Sequence, residues 1–473
     1  MKAYYGAEEL IPEQYIVVFK DQWEGQINSE VAQQALSFVN AKTEAVGIAE
    51  KDVKNRYENA LRGFTAKLSE TQLQTLQKDP AVDFIEQDRY YNGLEGTVSI
   101  PTTRFSTFLN FFFRRSQTMP WGITRVGGSL DGTGKKAWIL DTGIDLDNSD
   151  LTVDVGNSIS FVGGESADDL NGHGTHVAGI LAAKNNSTGV VGVAAGATVV
   201  SVKVLPQSGT GTLSDLVDGI NYAAGKASSN DIINLSLSSG VSSSVDNAVI
   251  NAANSGLRFA LAAGNQSSSA TTRSPARVSH SNVWTVSGYD INDDWYSNSN
   301  YGNPPIDYSG PGVDVLSLWK NGGTNTISCT SMATPHIAGL LLAASTIYTD
   351  GYVSGDPDAT ADAIASSEIT VETPNVTGSI QSNHPKLSWQ TCDNADEYEI
   401  WRKVESSGSW TLWTTVSATN YTDFSITDPD MTISIPSGSY DWVAYKVKAV
   451  HDDGFESFNS SIIYFETDSI FPE

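Results

Sequence analysis

The rhythm of apolar and polar positions changes twice along this chain. Residues 15–19 (YIVVF) form a β-rich run, and Val31, Ala35, Leu36 and Val39 then recur at helical spacing within 29–49. GFTAKL (63–68) reads as a strand, Ser69 caps the amphipathic stretch ETQLQTLQKD, and AVDFIEQD (81–88) alternates as a strand again. The order β-α-β-α-β predicts a small α+β domain. From 136 to 345 the runs KAWIL, ATVVSVKVL, DIINLSL, LRFALAAG and VWTVSG are nearly continuously apolar, the pattern of parallel strands buried on both faces. Between them HGTHVAGILAAK, TLSDLVDGINYAAGKA and SVDNAVINAANSG keep helical period. That alternation predicts an α/β fold with a doubly wound parallel sheet. From about 371 the helices stop, and KLSW, EYEIWRK, TLWTTV, YDWVAYKVKAV and SIIYFET predict an all-β sandwich. The expected divisions are 10–93, a linker 94–117, then 118–368 and 371–473.

Composition narrows the function classes. The 473 residues carry 55 acids against 28 Lys and Arg, a net charge of −27. That excess excludes nucleic acid as partner, because phosphate binding needs basic patches. It is uneven: residues 1–117 sum to −3, 118–368 to −13 and 371–473 to −11. Two cysteines exclude a disulfide-dense scaffold and a cysteine-rich metal site. No run of about 18 apolar residues exists to span a membrane. The opening MKAYYGAEELIPEQYIVVFK lacks the basic-then-apolar pattern of a secretory signal. The linker interior RFSTFLNFFFRRSQ reads as a processed or locally packed segment. Trp401, Trp410 and Trp413 stand at sandwich-core periodicity.

Three segments carry chemistry. WILDTGID puts Asp141 at the C-terminal end of a strand, NGHGTHVAGIL puts His173 at the start of a helix, and SCTSMATPHIAGLLLAA puts Ser331 at the N-terminus of a long apolar helix. A serine hydroxyl is a weak nucleophile until an adjacent base takes its proton. A helix N-terminus offers a free N–H and a positive dipole end for a developing oxyanion. A buried aspartate holds the imidazole tautomer and stabilises the imidazolium. Pro335 is expected in the first turn of the serine's helix, where its missing N–H costs little. In AAGN (262–265) the amide of Asn265 can donate a second oxyanion hydrogen bond.

DTGID, GHGTHVAG, AAGN and TSMATPHIAG resemble the motifs of the subtilisin-like serine proteases, with Asp, His and Ser in that family's chain order. SVKVL, SSSVDNAV, NYG, GPG and PWGITRV (120–126) are most similar to the proteinase K branch. The resemblance spans about 118–345. It implies Ser331 as nucleophile, His173 as base and acid, Asp141 as orienter, and Asn265 with the Ser331 amide as oxyanion hole. It implies substrates added as a β-strand along Gly209–Thr210–Gly211 and Ser236–Leu237–Ser238. Ala262, Ala263 and Gly264 would wall an S1 pocket for apolar or aromatic side chains, with Leu213 over S4. No cofactor serves the catalysis. A structural Ca²⁺ is implied at Ser281, Val283 and Asp307, whose oxygens suit that ion.

YIVVFK, GFTAKLSETQLQTL and AVDFIEQD resemble the subtilase propeptide, which implies a folding template and product-like inhibitor with its tail, about Arg89–Glu95, in the cleft. Family spacing then puts autoprocessing near Leu94 or Glu95, and the long linker leaves room for a second cut near Arg115. The C-terminal part resembles fibronectin type III, with Trp389 and Tyr445 as core residues. Two residues depart from the family pattern: Cys329 and Ser238 stand where glycines are usual. Cys329 reads as a tolerated small residue, the alternatives being a Cβ that crowds the oxyanion region or the S1 entrance, and a thiol that leaves the enzyme sensitive to mercurials or oxidation. The expected protein is a secreted, monomeric endopeptidase zymogen acting on proteins and peptides. The alternatives are a catalytically weak fold used as a binding module, and a metal hydrolase using His173 and His176.

Overall fold

In the computed structural model the described residues are 8–20, 28–94, 98–100, 117–358, 360–369, 371–404, 409–426, 432–433 and 441–467. The interior of the aromatic linker, 104–116, lies outside them. The chain divides into two compact units, Met1–Ser367 and Glu368–Glu473.

In the first unit a ten-stranded sheet forms the centre. Strand Lys136–Asp141 pairs in parallel with Thr198–Lys203 on one side and with Ile232–Leu235 on the other. Arg258–Ala262, Val283–Tyr289, Ile306–Pro311 and Ala363–Ser366 continue outward in parallel. The sheet is mixed rather than wholly parallel, since Tyr348–Tyr352 closes that edge antiparallel to Ala363–Ser366. Alternation within each strand feeds two cores. Ala137 and Ile139 join one cluster beneath the helices His173–Ala182 and Thr330–Ala343, while Trp138 and Leu140 join the other beneath Leu213–Lys226 and Ser243–Asn254. Both faces are covered, which is why the strands read as unbroken apolar runs.

The strand order reverses at Lys136–Asp141. A crevice opens outside the carboxyl ends of strands at such a switch point, and ligand sites form there in open α/β sheets. Asp141 and Leu235 end the two strands that flank it.

The N-terminal region folds as expected with one addition. Strands Leu10–Phe19, Gly63–Lys67 and Val82–Asn92 and helices Ser29–Ala45 and Glu70–Gln77 match the sequence reading, and Ser69 caps the second helix in a full capping box with Gln72. Strand Val53–Tyr57, which the periodicity did not show, pairs with Gly63–Lys67 across a register shift. This region is not a separate compact unit. Its sheet ends on the peptidase strand Thr210–Thr212, which pairs with Val82–Asn92.

The second unit is all β among its described residues. One sheet has three strands and the other five. Trp389, Tyr398, Ile400, Tyr445 and Phe465 fill its core. The sandwich-core expectation for three tryptophans fails. Trp413 is 43% exposed, and Trp401 and Trp410 flank the Lys446 ammonium, 5.5 and 4.9 Å from their ring centroids. Trp401 follows the buried Ile400 and so takes the opposite face by plain alternation, and Trp413 is the unpaired residue at the register shift between the Ile400–Thr414 and Trp401–Leu412 pairs.

Candidate active site

Asp141 is the last residue of its strand and His173 the first of its helix. Asp141 Oδ1 lies 2.8 Å from His173 Nδ1, with both side chains buried. The contact assigns the Nδ1 proton and leaves Nε2 as the basic nitrogen. Nε2 is buried and makes no hydrogen bond of good geometry, although the Cys329 thiol lies close enough to act on the ring. Burial pulls the imidazole's pKa down, but the Asp141 charge and hydrogen bond outweigh it, with a smaller push from the Cys329 thiol, and the net direction is upward. Two glycines make the approach sterically allowed. A Cβ at Gly174 would lie 2.1 Å from Gly143 O, and one at Gly172, where φ is 116°, would strike the Trp319 ring at 2.3 Å.

Asp169, which the sequence reading passed over, fastens this corner. Its carboxylate accepts from the N–H groups of Asn171, Gly172 and Thr175 and from the hydroxyls of Thr142 and Thr175. A carboxylate at a helix N-terminus is favourable by dipole and by donor satisfaction. Here it also fixes where the His173 helix begins.

Ser331 is the second residue of the helix Thr330–Ala343. Asn265 Oδ1 accepts from Thr330 N at 2.8 Å, and Thr330 Oγ1 accepts from Gly264 N at 3.2 Å. The Asn265 amide is thereby held at the N-terminal end of the serine's helix. Pro335 is not in the first turn but sixth in the helix, where it deprives the Ser331 carbonyl of its i+4 donor. Ser236 Oγ supplies that hydrogen bond instead, 2.8 Å from Ser331 O.

The remaining histidine in these motifs and its neighbour are committed elsewhere. His176 Nε2 contacts the carbonyls of Val315 and Asn325, and burial lowers its pKa to about 3. His336 Nδ1 donates to Met332 O, and burial lowers its pKa to about 4. A metal held by His173 and His176 is therefore not supported. Cys329 is fully buried in the apolar cluster with Ile327, Met332 and Ala333, with its backbone extended, and both thiols of the chain are free.

The tail of the N-terminal region lies in the crevice. Tyr90, Tyr91 and Asn92 pair antiparallel with Thr212, Gly211 and Thr210, and Gly93 N donates to Gly209 O at 3.0 Å. Tyr91 is 1% exposed and shares a buried cluster with Leu205, Leu213 and Leu237. The two strands' flanks are tied down by charge. Glu86 Oε2 accepts from Ser244 N, Ser244 Oγ and Ser242 Oγ at the start of Ser243–Asn254. Asp88 accepts from Ser214 N and Oγ at the start of Leu213–Lys226. Both carboxylates thus sit on positive helix ends. Lys54 pairs with Asp215 at 2.8 Å, and Arg89 donates to Val241 O at 2.6 Å.

Ala262 ends strand Arg258–Ala262, the Ala263 carbonyl accepts from Asn300 Nδ2, and Gly264 turns with φ 99°. Ser238 is buried just past strand Ile232–Leu235. Ser281, Val283 and Asp307 lie at one end of the sheet, at the starts of the neighbouring strands Val283–Tyr289 and Ile306–Pro311, where Asp307 Oδ2 accepts from Thr285 N at 2.8 Å. One carboxylate beside backbone carbonyls fits a calcium ion's oxygen preference. Among the described residues no group of three or more His, Cys, Asp or Glu is gathered for a metal, so an ion there would rest mainly on the carbonyls.

The sequence matches the Subtilase family over residues 132–350 and the peptidase inhibitor I9 family over 14–92. An extracellular serine proteinase of Thermus sp. (strain Rt41A) is 33% identical, over 80% of this chain and 90% of that one. This chain belongs to the subtilase family. Other subtilases bear the likeness too. Subtilisin-like serine protease AsES of Sarocladium strictum is 34% identical over 70% of this chain and 79% of that one. Alkaline serine exoprotease A of Vibrio alginolyticus is 35% identical, and the matched region spans 60% of its length. A crystal structure of a cold adapted subtilisin-like serine proteinase shares 37% identity over 46% of this chain and 82% of that one, at a TM-score of 0.41. Family membership makes the chain a serine peptidase with an I9-type propeptide region ahead of its subtilase domain. No helix among the described residues is long and apolar enough to cross a membrane.

Proposed function

We propose that this subtilase is a secreted, monomeric endopeptidase made as a zymogen, which cuts itself between Leu94 and Glu95 and then hydrolyses proteins with an apolar or aromatic P1. His173 Nε2 takes the Ser331 hydroxyl proton as the oxygen attacks the scissile carbonyl. Asp141 stabilises the resulting imidazolium and keeps its orientation. The Ser331 N–H at the helix end and the Asn265 amide receive the oxyanion. His173 then returns its proton to the leaving amine, and water repeats the cycle on the acyl-enzyme.

The observation that carries this reading is the chain's own strand in the crevice, with Gly93 N on Gly209 O. Strand addition is sequence-tolerant because the backbone supplies the hydrogen bonds. If Tyr91, packed with Leu213, fills S4, counting along the strand puts Asn92 in S3, Gly93 in S2 and Leu94 in S1. A Cβ at Gly93 would lie 2.7 Å from the Leu205 side chain, which suits a small S2 residue. Ser281, Val283 and Asp307 are assigned to a stabilising Ca²⁺, and the C-terminal unit to a fibronectin type III-like accessory module.

Intact-mass analysis of the purified chain beside Ser331→Ala tests the proposal. Cleavage at Leu94–Glu95 in the parent alone is expected. Cleavage in both, or in neither with no hydrolysis of casein, would refute it.

A further inference from the structure

We infer that the chain just C-terminal to the processing bond is a second inhibitory strand, and that full activity needs another cut beyond Ile100. The inference rests on the Leu94–Glu95 reading above. Strand Val98–Ile100 pairs antiparallel with Gly323–Ser328: Val98 faces Ser328, Ser99 faces Ile327 and Ile100 faces Thr326. Strand Gly323–Ser328 leads into Cys329 and the nucleophile helix, so its end stands three residues before Ser331. The propeptide tail reaches Gly209 at Gly93, and the chain is paired again at Ser328 by Val98. Described residues on both sides of the processing bond, Gly93 and Val98, are therefore paired to segments that flank the candidate nucleophile. The propeptide tail occupies the path of a substrate's acyl side, and Val98–Ile100 occupies the wall along which its leaving half would extend.

Cutting Leu94–Glu95 frees the acyl side once the propeptide is degraded. It does nothing to the ladder on Gly323–Ser328. That ladder remains tethered, because Thr118 N donates to Gly189 O and Gln117 Nε2 donates to the carbonyls of Lys184 and Val190. Three paired residues bind weakly in trans, but a short tether gives an effective concentration on the order of mM. A competitor of that strength lowers the affinity of substrates with long leaving halves about two- to tenfold. A second hydrolysis within 101–116 releases it: one C–N bond breaks, water's hydroxyl goes to the carbonyl carbon and its proton to the freed amine. Three arginines, Arg104, Arg114 and Arg115, stand in that stretch.

The test samples the maturing wild-type chain by intact mass and by two substrates. One is a tetrapeptide anilide with nothing beyond the scissile bond, and the other is a quenched peptide extending six residues past it. The species beginning at Glu95, free of propeptide, should show a KM for the extended peptide two- to tenfold above that of the species beginning after Ile100, with equal values for the anilide. Alternate N–H groups of an antiparallel strand point at its partner, so the variant with both Ser99→Pro and Ile100→Pro loses a ladder donor and should abolish the difference, while Ser99→Ala keeps it. Independently, a synthetic peptide of residues 95–104 should inhibit the shorter species against the extended peptide, and its proline analogue should not. Equal KM values in both species, or an inert peptide, would overturn the inference. Absence of any species beginning at Glu95 would instead overturn the processing reading beneath it.

Discussion

Tyr91 gives the most quantitative handle on the cleft. Its ring is buried in the apolar cluster that also holds Leu205, Leu213 and Leu237, and its phenol oxygen is buried with no hydrogen-bond partner. The perturbation is the identity of this side chain in a substrate that copies residues 91–94, Xaa-Asn-Gly-Leu-p-nitroanilide. Burying a large apolar ring is worth about 2–3 kcal/mol over leaving it in water, so phenylalanine should exceed alanine by about 30- to 150-fold in kcat/KM. Stripping a hydroxyl of water without a partner costs about 1–3 kcal/mol. Phenylalanine should therefore beat tyrosine by about fivefold or more, although tyrosine is the residue in the chain itself. Initial rates on the mature enzyme decide the matter, with Leu213→Ala expected to shrink the phenylalanine advantage. Three substrates within twofold of one another, or tyrosine ahead of phenylalanine, would show that Tyr91 does not sit in a specificity pocket.

Four further outcomes are expected. His173 must be neutral to act as base, and Asp141 holds its pKa upward; the acid limb of kcat/KM should lie above pH 6.5, the ordinary histidine value, and Asp141→Asn should move it down while lowering kcat about 10⁴-fold. Asn265→Ala should lower kcat about 10²- to 10³-fold with KM little changed, and equal loss in both parameters would count against an oxyanion role. Ser236→Ala leaves the Ser331 carbonyl without a donor that Pro335 cannot replace, so urea unfolding should show a loss of about 1–3 kcal/mol, with Ser236→Thr recovering part of it. EDTA should shorten the thermal inactivation half-life of the parent but not of Asp307→Ala, and parallel behaviour of the two would remove calcium from the Ser281–Asp307 site.

The candidate reacting residues stood out in the sequence because each sits where an element ends. Asp141 closes an apolar run, His173 opens a glycine-flanked helix and Ser331 opens an apolar one, and those boundaries are local properties of the chain. The same locality exposed the capping box at Ser69. What escaped depended on pairs far apart in sequence. Ser236 reaches Ser331 across 95 positions, Asp88 caps Ser214 across 126, and Val98–Ile100 finds Gly323–Ser328. Strand Val53–Tyr57 was missed because its pairing, shifted in register, outweighs a weak alternation. The tryptophans of the last unit were misplaced because alternation shows that a strand has two faces but not which one is buried: Tyr398, Ile400 and Arg402 turn inward, which leaves Trp401 outside.

By itself the sequence determined the family and singled out the candidate chemical groups, since periodicity, caps and motifs are written in neighbouring residues. Tertiary structure alone decided the depth of each group, the register of the propeptide tail on Gly209–Thr212 and the second strand beside the nucleophile. The burial of these groups and the register of these strands are set by packing partners elsewhere in the chain, such as Thr210–Thr212 for Tyr90–Asn92 and Gly323–Ser328 for Val98–Ile100, and no local pattern encodes them.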